Sequence, residues 1–311
     1  MTILISGANG KVGTALTAQL KSRKLAYIAL DHAQLDITNS AAIKQRLHEY
    51  RPSIIINTAA FTQVDIAEQQ QEEAYRANAL GAELLAQAAA NQQIPIIHLS
   101  TDYVFSGDKP LAQSYVEDDA TEPASVYGKS KLAGEQAVRN ANAHHIIIRT
   151  AWLFDEHSDN FAKKLITAAK QQLDLPNPTL RIAANQYGCP TDTSDLASAI
   201  VHLLQTYASK ATLPWGTYHY AGEPAISRLE WAQEILTTAQ THGLITRLPI
   251  LAPTTDTYYI GSAPRPANSA LNCTKIQQLF GIEPSQWRNG LRHLVQTFST
   301  DNEISCSDKS S

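Results

Sequence analysis

The sequence has few cysteines, with three in a chain of 311 residues. Cys189, Cys273 and Cys306 have no Cys-x-x-Cys spacing, and their odd number indicates neither a disulfide framework nor a zinc site. Long apolar runs are also absent: the first one covers five residues before a glycine turn, too short for a signal-peptide core or a membrane span. These absences predict a protein of the reducing cytoplasm without a membrane segment.

A strong charge of one sign is missing as well. Lys and Arg number 25 against 29 Asp and Glu, so the formal net charge is -4. Such a surface has no general attraction for nucleic acid or an anionic membrane, and we expect neither as a partner. Hydrophobic residues make up 43% of the chain, enough to bury a sizeable core.

The first half of the chain alternates short β-branched runs with helix-length segments. Five buried strands are predicted, at 2–6, 26–31, 53–57, 95–100 and 144–150. The intervening helices are predicted at 11–21, 40–50, 70–91 and 127–142. Repeated strand-helix-strand units favour an α/β fold with a Rossmann-type, doubly wound parallel sheet that binds ligands at the carboxyl ends of its strands.

The pattern changes after residue 150. Predicted helices at 160–172, 193–208 and 227–242 are separated by long connections that carry proline and glycine, which is typical of binding loops. We therefore assign residues 1–150 to a dinucleotide-binding domain with the catalytic groups. Residues 151–299 form a smaller C-terminal substrate-binding α/β portion, interleaved with the first, and 300–311 form a flexible polar tail.

The first strand runs directly into a glycine-rich turn and then an alanine- and leucine-rich helix. Glycine lets the backbone turn sharply and approach a pyrophosphate, whose charge then lies at the helix N-terminus. The segment therefore predicts a dinucleotide site. Its candidate binding residues are Gly7, Asn9, Gly10, Lys11, Val12 and Gly13.

Further cofactor contacts are predicted at the ends of the next strands. Asp31 is placed to accept hydrogen bonds from the adenosine ribose, which favours NADH, whereas the Lys11 cation could neutralise a 2'-phosphate. Both NADPH and NADH therefore remain open as cofactors. Asp36 and Ile37 are candidates for the adenine edge. The small residues Ala59 and Ala60 follow the third strand and would let a flat cofactor lie against the backbone. The next polar residue, Thr62, is a further candidate for binding the cofactor.

Three residues point to carbonyl reduction. Tyr127 and Lys131 are four residues apart, so they share one face of a helix. A phenol is a poor acid at neutral pH unless a neighbouring ammonium stabilises the phenolate, and Lys131 can do this while it binds the cofactor ribose. Thr101, at the end of the fourth strand, would hold the substrate carbonyl. Tyr127 would be the proton donor.

Together these motifs resemble the extended short-chain dehydrogenase/reductase superfamily, and within it the dTDP-4-dehydrorhamnose reductases, from Met1 to about Phe298. The segments that carry the resemblance are STDYVF at 100–105, YGKSKLAGE at 127–135, RTAW at 149–152, NFAK at 160–163, NQYGCPT at 185–191 and RPANSAL at 265–271. The resemblance implies that NAD(P)H reduces the 4-keto group of a dTDP-6-deoxy-L-hexulose to give dTDP-L-rhamnose for cell-surface polysaccharide.

The resemblance also implies residue roles. Thr101, Tyr127 and Lys131 would be the catalytic trio. The substrate-binding residues would be Thr101, Asp102, Tyr103 and Trp152 at the sugar, with Asn160 and Arg265 near the nucleotide. Asn185 stands where relatives usually carry Asp, so a charge is missing there.

Some relatives form a dimer bridged by a divalent cation through carboxylates. The matching positions here are Ala15, Ser194 and Arg288, none of which is a carboxylate. We therefore expect no metal site, and either a monomer or a metal-independent homodimer.

Other functions stay open. A nucleotide-sugar dehydratase or epimerase of the same superfamily is one, although dehydratases typically follow Thr-Asp with Glu and this chain has Tyr103. A reductase that forms another deoxysugar, or the opposite configuration at C4, is another. A third is a non-catalytic regulatory subunit of methionine adenosyltransferase, because fold does not fix function.

Overall fold

The structure is a computed structural model. It describes residues 1–255 and 262–307, with side chains as far as residue 298. The strands are β1 (Ile3–Ser6), β2 (Tyr27–Leu30), β3 (Ile54–Asn57), β4 (Ile96–Thr101), β5 (His145–Thr150), β6 (Leu153–Phe154), β7 (Thr179–Ala183), β8 (Tyr187–Gly188), β9 (Thr191–Asp192), β10 (Gly216–His219), β11 (Ile226–Ser227) and β12 (Ile250–Thr254).

The helices surround these strands. They are α1 (Lys11–Ser22), α2 (Ser40–Tyr50), α3 (Val64–Gln69), α4 (Gln71–Tyr75), α5 (Ala82–Asn91), α6 (Val126–Ala141), α7 (Phe161–Gln171), α8 (Thr193–Lys210), α9 (Arg228–Thr241), α10 (Thr274–Phe280) and α11 (Trp287–Ser307). Helix α11 extends into the segment predicted as a polar tail. The side chains from 299 onward and residues 308–311 lie outside the described part, so the flexibility of that tail stays a prediction.

Six strands form the central sheet, in the order β10-β5-β4-β3-β1-β2. All five neighbouring pairs are parallel. The order reverses between β1 and β3, which opens a crevice at their carboxyl ends where doubly wound proteins bind nucleotides. The predicted Rossmann-type α/β fold is confirmed.

Successive side chains of the buried strands pack into two hydrophobic clusters, one on each face of the sheet. Ile3 and Ile5 of β1 pack in the cluster that contains residues of α1 and α8. Leu4 points to the opposite face, into the cluster that contains residues of α2 and α5. A strand whose two faces are both covered needs continuous apolar residues, which explains the ILI run.

The later part of the chain contributes to both halves. Strand β10 pairs with β5 in the central sheet, and α8 packs against α1. A separate core joins α7, α9 and α11, where the rings of Trp231 and Trp287 meet edge to face at 5.0 Å between centroids. The boundary at residue 150 stays a prediction.

The predicted helix at 70–91 is interrupted. Between α4 and α5 the segment Arg76–Gly81 winds as a π-helix. The side chain of Asn78 is buried there, accepts a hydrogen bond from the Phe61 amide at 2.8 Å and donates one to Ser130 Oγ at 2.9 Å. This widened turn therefore connects the segment after β3 to helix α6. Such π-bulges are frequent at functional sites.

Candidate active site

A cleft of about 680 Å³ lies at the carboxyl ends of β1, β3 and β4. It contains most of the predicted site residues. Those that line it are Gly7, Asn9, Gly10, Lys11, Val12, Asp31, Asp36, Ile37, Ala59, Ala60, Thr62, Thr101, Asp102, Tyr103, Tyr127, Trp152 and Asn160. Gly13, Lys131 and Arg265 are not part of its lining. The topology thus gathers residues from eight separate segments of sequence into one site.

The glycine turn at the cleft leaves no room for side chains. Gly7 has φ +74°, and a Cβ there would lie 2.6 Å from the amide nitrogen of Ala59. A Cβ on Gly13 would lie 2.5 Å from the carbonyl oxygen of Gly7. The turn therefore packs backbone against backbone without side chains that would keep a ligand away, and it suits a dinucleotide pyrophosphate.

The acidic residues beside this turn are held in place. Asn9 Nδ2 donates to Asp31 Oδ2 at 2.9 Å, and the Gln34 amide donates to Asp31 Oδ1 at 3.0 Å. Burial raises the pKa of Asp36, but hydrogen bonds from Thr38 outweigh it and leave that pKa below its usual value. Asp31 thus presents a fixed acceptor at the position predicted for the ribose.

Lys11 connects the glycine turn to the later part of the chain. Its Nζ donates to the backbone carbonyl of Asp159 at 2.8 Å, just before helix α7. Burial lowers the pKa of Lys11, while the Asp155 carboxylate opposes that shift. Asn160 starts the same helix, where it accepts from the Lys163 amide and donates to the Asp155 carbonyl.

Thr101 and Tyr127 meet in the cleft. Thr101 ends β4 and donates through Oγ1 to Asp102 Oδ1 at 3.0 Å. Tyr127 lies in the first turn of α6, which Ser125 caps by accepting the Gly128 amide at 3.1 Å. Burial raises the pKa of Tyr127 above its usual value, and the Thr101 side chain opposes the shift. At neutral pH the phenol is therefore protonated and has a proton to donate.

Lys131 is buried and does not line the cleft. Its Nζ donates to the carbonyl of Leu99 at 2.6 Å. Burial lowers the pKa of Lys131 to about 8, and the Glu135 carboxylate opposes that shift. Glu135 is itself held by Ser100 and Arg149. The predicted action of Lys131 on Tyr127 stays a prediction, since the described hydrogen bond of its ammonium is to the strand.

Asp102 is a buried carboxylate at the substrate end of the cleft. One oxygen accepts the Thr101 hydroxyl, whereas Oδ2 has no hydrogen-bond partner among the residues that the structure describes. Burial raises the pKa of Asp102 to about 6. Burial likewise raises the pKa of Tyr103 to about 12. Burial thus works against the charged form of each group. At neutral pH the Tyr103 phenol is protonated and can donate a hydrogen bond to a bound hydroxyl or carbonyl, whereas Asp102 is mostly ionised and accepts one.

The structure adds Arg228, which the sequence analysis missed. Its guanidinium lies 3.7 Å from the ring centroid of Trp152 and 4.7 Å from that of Phe161, and it lines the cleft. Trp152 has φ +41°, a left-handed conformation that is uncommon for a bulky residue. In the sequence Arg228 is only a polar residue after the N-cap Ser227 of α9. No local signal marks it as a site residue.

Arg265 does not line the cleft, although its charge lies close enough to lower the pKa of Tyr103. Its Nη2 pairs with Asp65 Oδ2 at 2.8 Å, and Nη1 donates to the Ala263 carbonyl at 2.8 Å. Asp65 also accepts the amide of Ala263 at 2.9 Å. Arg265 thus fastens its own loop to the start of α3. Its predicted contact with the nucleotide stays a prediction.

Comparison with known proteins then decides the family. A family model described as the RmlD substrate binding domain matches residues 1–300. The chain belongs to this family.

Members of the RmlD family with curated names resemble the chain over nearly its full length. A dTDP-4-dehydrorhamnose reductase of Aggregatibacter actinomycetemcomitans is 38% identical over 94% of this chain and 97% of that protein. The one from Sinorhizobium fredii is 36% identical over 95% and 97%. These relatives confirm the resemblance seen in the sequence.

Solved structures agree. A dTDP-4-dehydrorhamnose reductase ortholog from Clostridium acetobutylicum has a TM-score of 0.85 at 33% identity, with 96% of this chain and 100% of that chain covered. One from Bacillus anthracis, in complex with NADP, has a TM-score of 0.83 at 33% identity, with 94% and 98% covered. Both solved structures therefore share the fold over nearly the whole of this chain.

The three positions examined for a bridging metal have other surroundings. Ala15 and Ser194 line a second cavity of about 500 Å³ beside α1, and Arg288 pairs with Glu234 at 2.9 Å. Within residues 1–255 and 262–298, no group of three His, Cys, Asp or Glu side chains is arranged to hold a metal. None of the described helices is long and apolar enough to cross a membrane.

Proposed function

We propose that this protein is a dTDP-4-dehydrorhamnose reductase, which reduces the 4-keto group of dTDP-4-dehydro-6-deoxy-L-mannose with NADPH or NADH to give dTDP-L-rhamnose. The observation that carries the proposal is the convergence of Thr101 and Tyr127 with the glycine turn in one cleft. Relatives named for this reaction are 33–38% identical over nearly the whole chain.

The glycine turn fits a dinucleotide, because its close backbone packing excludes side chains where a pyrophosphate would approach. Gly7, Gly10 and Lys11 would hold that pyrophosphate, and Asp31 the ribose. When bound, the reduced nicotinamide supplies the hydride. The protein's own residues bind the ketone and provide the proton.

Tyr127 donates its phenolic proton to the carbonyl oxygen as the oxygen gains charge. The phenol is protonated at neutral pH because burial disfavours the phenolate. The cation of Lys131, four residues away on α6, compensates the negative charge that remains on Tyr127. Thr101 positions the ketone, and its hydroxyl must turn from Asp102 Oδ1 to donate to that oxygen.

Elimination or epimerisation is less well supported. A dehydratase needs a further acid or base beside Thr101 and Asp102, and the next residue is Tyr103, whose phenol has a pKa of about 12. Solved structures of a UDP-glucose 4-epimerase and a dTDP-glucose 4,6-dehydratase share the fold at 19% and 18% identity, which speaks for the fold alone.

A regulatory subunit would not require a cleft with a buried proton donor. The test is therefore consumption of NADPH or NADH by the purified protein with the 4-keto sugar nucleotide, followed by NMR of the product to define the configuration at C4. Oxidation of the cofactor with formation of dTDP-L-rhamnose supports the proposal. Cofactor binding without turnover would favour the regulatory function, and release of water from the sugar would favour a dehydratase.

We place the reaction in the cytoplasm and expect a monomer or a metal-independent homodimer. The buried thiols of Cys189 and Cys273 are free, which suits a reducing compartment. Burial raises the pKa of Cys189 to about 12, so its thiol is unreactive at neutral pH.

A further inference from the structure

Arg228 has an unused guanidinium in the cleft. Within the described residues, its side chain has no hydrogen-bond or ion-pair partner. Its backbone amide donates to the Gln186 carbonyl at 2.8 Å. The guanidinium is instead fixed by stacking on Trp152 and Phe161. Stacking holds the plane of an arginine in place while leaving its N–H groups free for a ligand.

The charges that line the cleft show what Arg228 can bind. Lys11, His32 and Arg228 are the basic residues of its lining, and Lys11 and His32 lie at the cofactor end. A reductase of a sugar nucleotide binds two pyrophosphates, one from each ligand. The glycine turn and Lys11 serve the first, so Arg228 is the cation left in the lining for the second.

Arg265, predicted from the family resemblance to lie near the nucleotide, is already engaged. Its guanidinium is shared between the Asp65 carboxylate and the Ala263 carbonyl. Arg228 by contrast lies against Trp152. Burial lowers the pKa of Arg228 to about 10, and the neighbouring Tyr103 and Asp102 oppose that shift. Arg228 therefore keeps its charge at neutral pH.

Resting on the proposed function, we propose that Arg228 binds the diphosphate of the sugar-nucleotide substrate, with Trp152 and Phe161 holding its guanidinium in position. The planar fork of arginine matches two phosphate oxygens, which a lysine at the same place would not. Arg265 then acts as a positioning residue that fixes the loop at 262–271.

The test measures binding of dTDP and of thymidine to the complex with NADP⁺ by calorimetry. We expect Arg228→Gln to weaken dTDP binding by about 10- to 100-fold and thymidine binding by less than about twofold, because only dTDP carries the diphosphate. Arg228→Lys keeps the positive charge but loses the two parallel N–H donors of the guanidinium. We therefore expect its affinity for dTDP to lie between those of the wild type and Arg228→Gln. Thermal unfolding of each variant checks its folding, and Arg228→Lys replaces Arg228→Gln if the latter is unfolded.

Arg265→Gln is the matched control, since it removes the other guanidinium. A dTDP affinity of Arg228→Gln equal to that of the wild type would overturn the proposal, as would an equal loss for dTDP and thymidine. A larger loss in Arg265→Gln would return the role to Arg265. Failure of the proposed function is distinct, because the wild-type protein would then not reduce the 4-keto sugar nucleotide at all.

Discussion

Lys131 Nζ donates a hydrogen bond to the carbonyl oxygen of Leu99 at 2.6 Å, two residues before Thr101 on β4. The helix that carries Tyr127, the proposed proton donor, is thereby attached to the strand that ends at Thr101, the residue proposed to bind the carbonyl. Since Lys131 is buried and its pKa is about 8, its charge depends on pH near neutrality.

Lys131→Met should lower activity at every pH and remove an inflection near pH 8. In the wild type Lys131 loses its proton as the pH rises through about 8, so kcat/KM should fall there. The measurement is kcat/KM for reduction between pH 6 and 10. Lys129→Met, on an exposed position of the same helix, is the control. An inflection that survives in Lys131→Met would assign it to another group.

Tyr127→Phe should lower turnover by about 10² to 10⁴, the usual contribution of a positioned general acid, and leave cofactor affinity largely intact. Single-turnover rates with saturating cofactor measure this directly. Tyr75→Phe is the control, because Tyr75 is an exposed tyrosine that does not line the cleft. Turnover of Tyr127→Phe equal to that of the wild type would contradict the assignment.

Asp102→Asn should stabilise the free protein above pH 6. The pKa of Asp102 is about 6 in the folded state, against an ordinary value of 3.8. Between pH 3.8 and about 6 the folded state therefore binds more protons at this residue than the unfolded state does. Stability of the wild type therefore falls as the pH rises from about 4 to about 6.

The variant lacks this titration, and we expect it to gain about 3 kcal/mol of folding free energy at pH 8 and less than about 1 kcal/mol at pH 4. Denaturant unfolding across this range measures the difference. The exposed substitution Asp118→Asn should show no such dependence. A gain that does not change with pH would show that the ionised carboxylate is not the cause.

Gly7→Ala should destabilise the fold by about 2 to 4 kcal/mol and weaken NADPH binding. The new Cβ meets the Ala59 backbone and also forces alanine into a positive φ. Gly243→Ala separates the two effects, since Gly243 has φ +75° and nothing within 4 Å of its Cβ position. Gly243→Ala should lower the free energy of unfolding by only about 1 kcal/mol. Equal losses in the two variants would argue against close packing at the glycine turn.

The oligomeric mass should not depend on magnesium. Ala15, Ser194 and Arg288 provide no carboxylate for a bridging cation, and Arg288 is paired with Glu234. Light scattering in the presence of magnesium and of EDTA should give the same mass. A dimer that dissociates in EDTA would contradict this expectation.

The sequence by itself determined five strands of the central sheet and the glycine turn, and it predicted Tyr127 and Lys131 on one helix. These features depend on local patterns: apolar runs for buried strands, glycine for a tight turn, and a spacing of four on one helix face. Even so, the π-turn at Asn78 could not be predicted, because it depends on packing against Phe61 and Ser130.

Only the tertiary structure showed where Arg228 and Arg265 lie and which strand completes the central sheet. Arg228 meets Trp152 across 76 residues of sequence, and Arg265 meets Asp65 across 200. Strand β10 joins β5 after a long excursion through β6–β9 and two helices. Such contacts arise when distant segments pack together. The residues next to each arginine in the sequence therefore do not indicate that Arg228 faces the cleft and that Arg265 holds a loop.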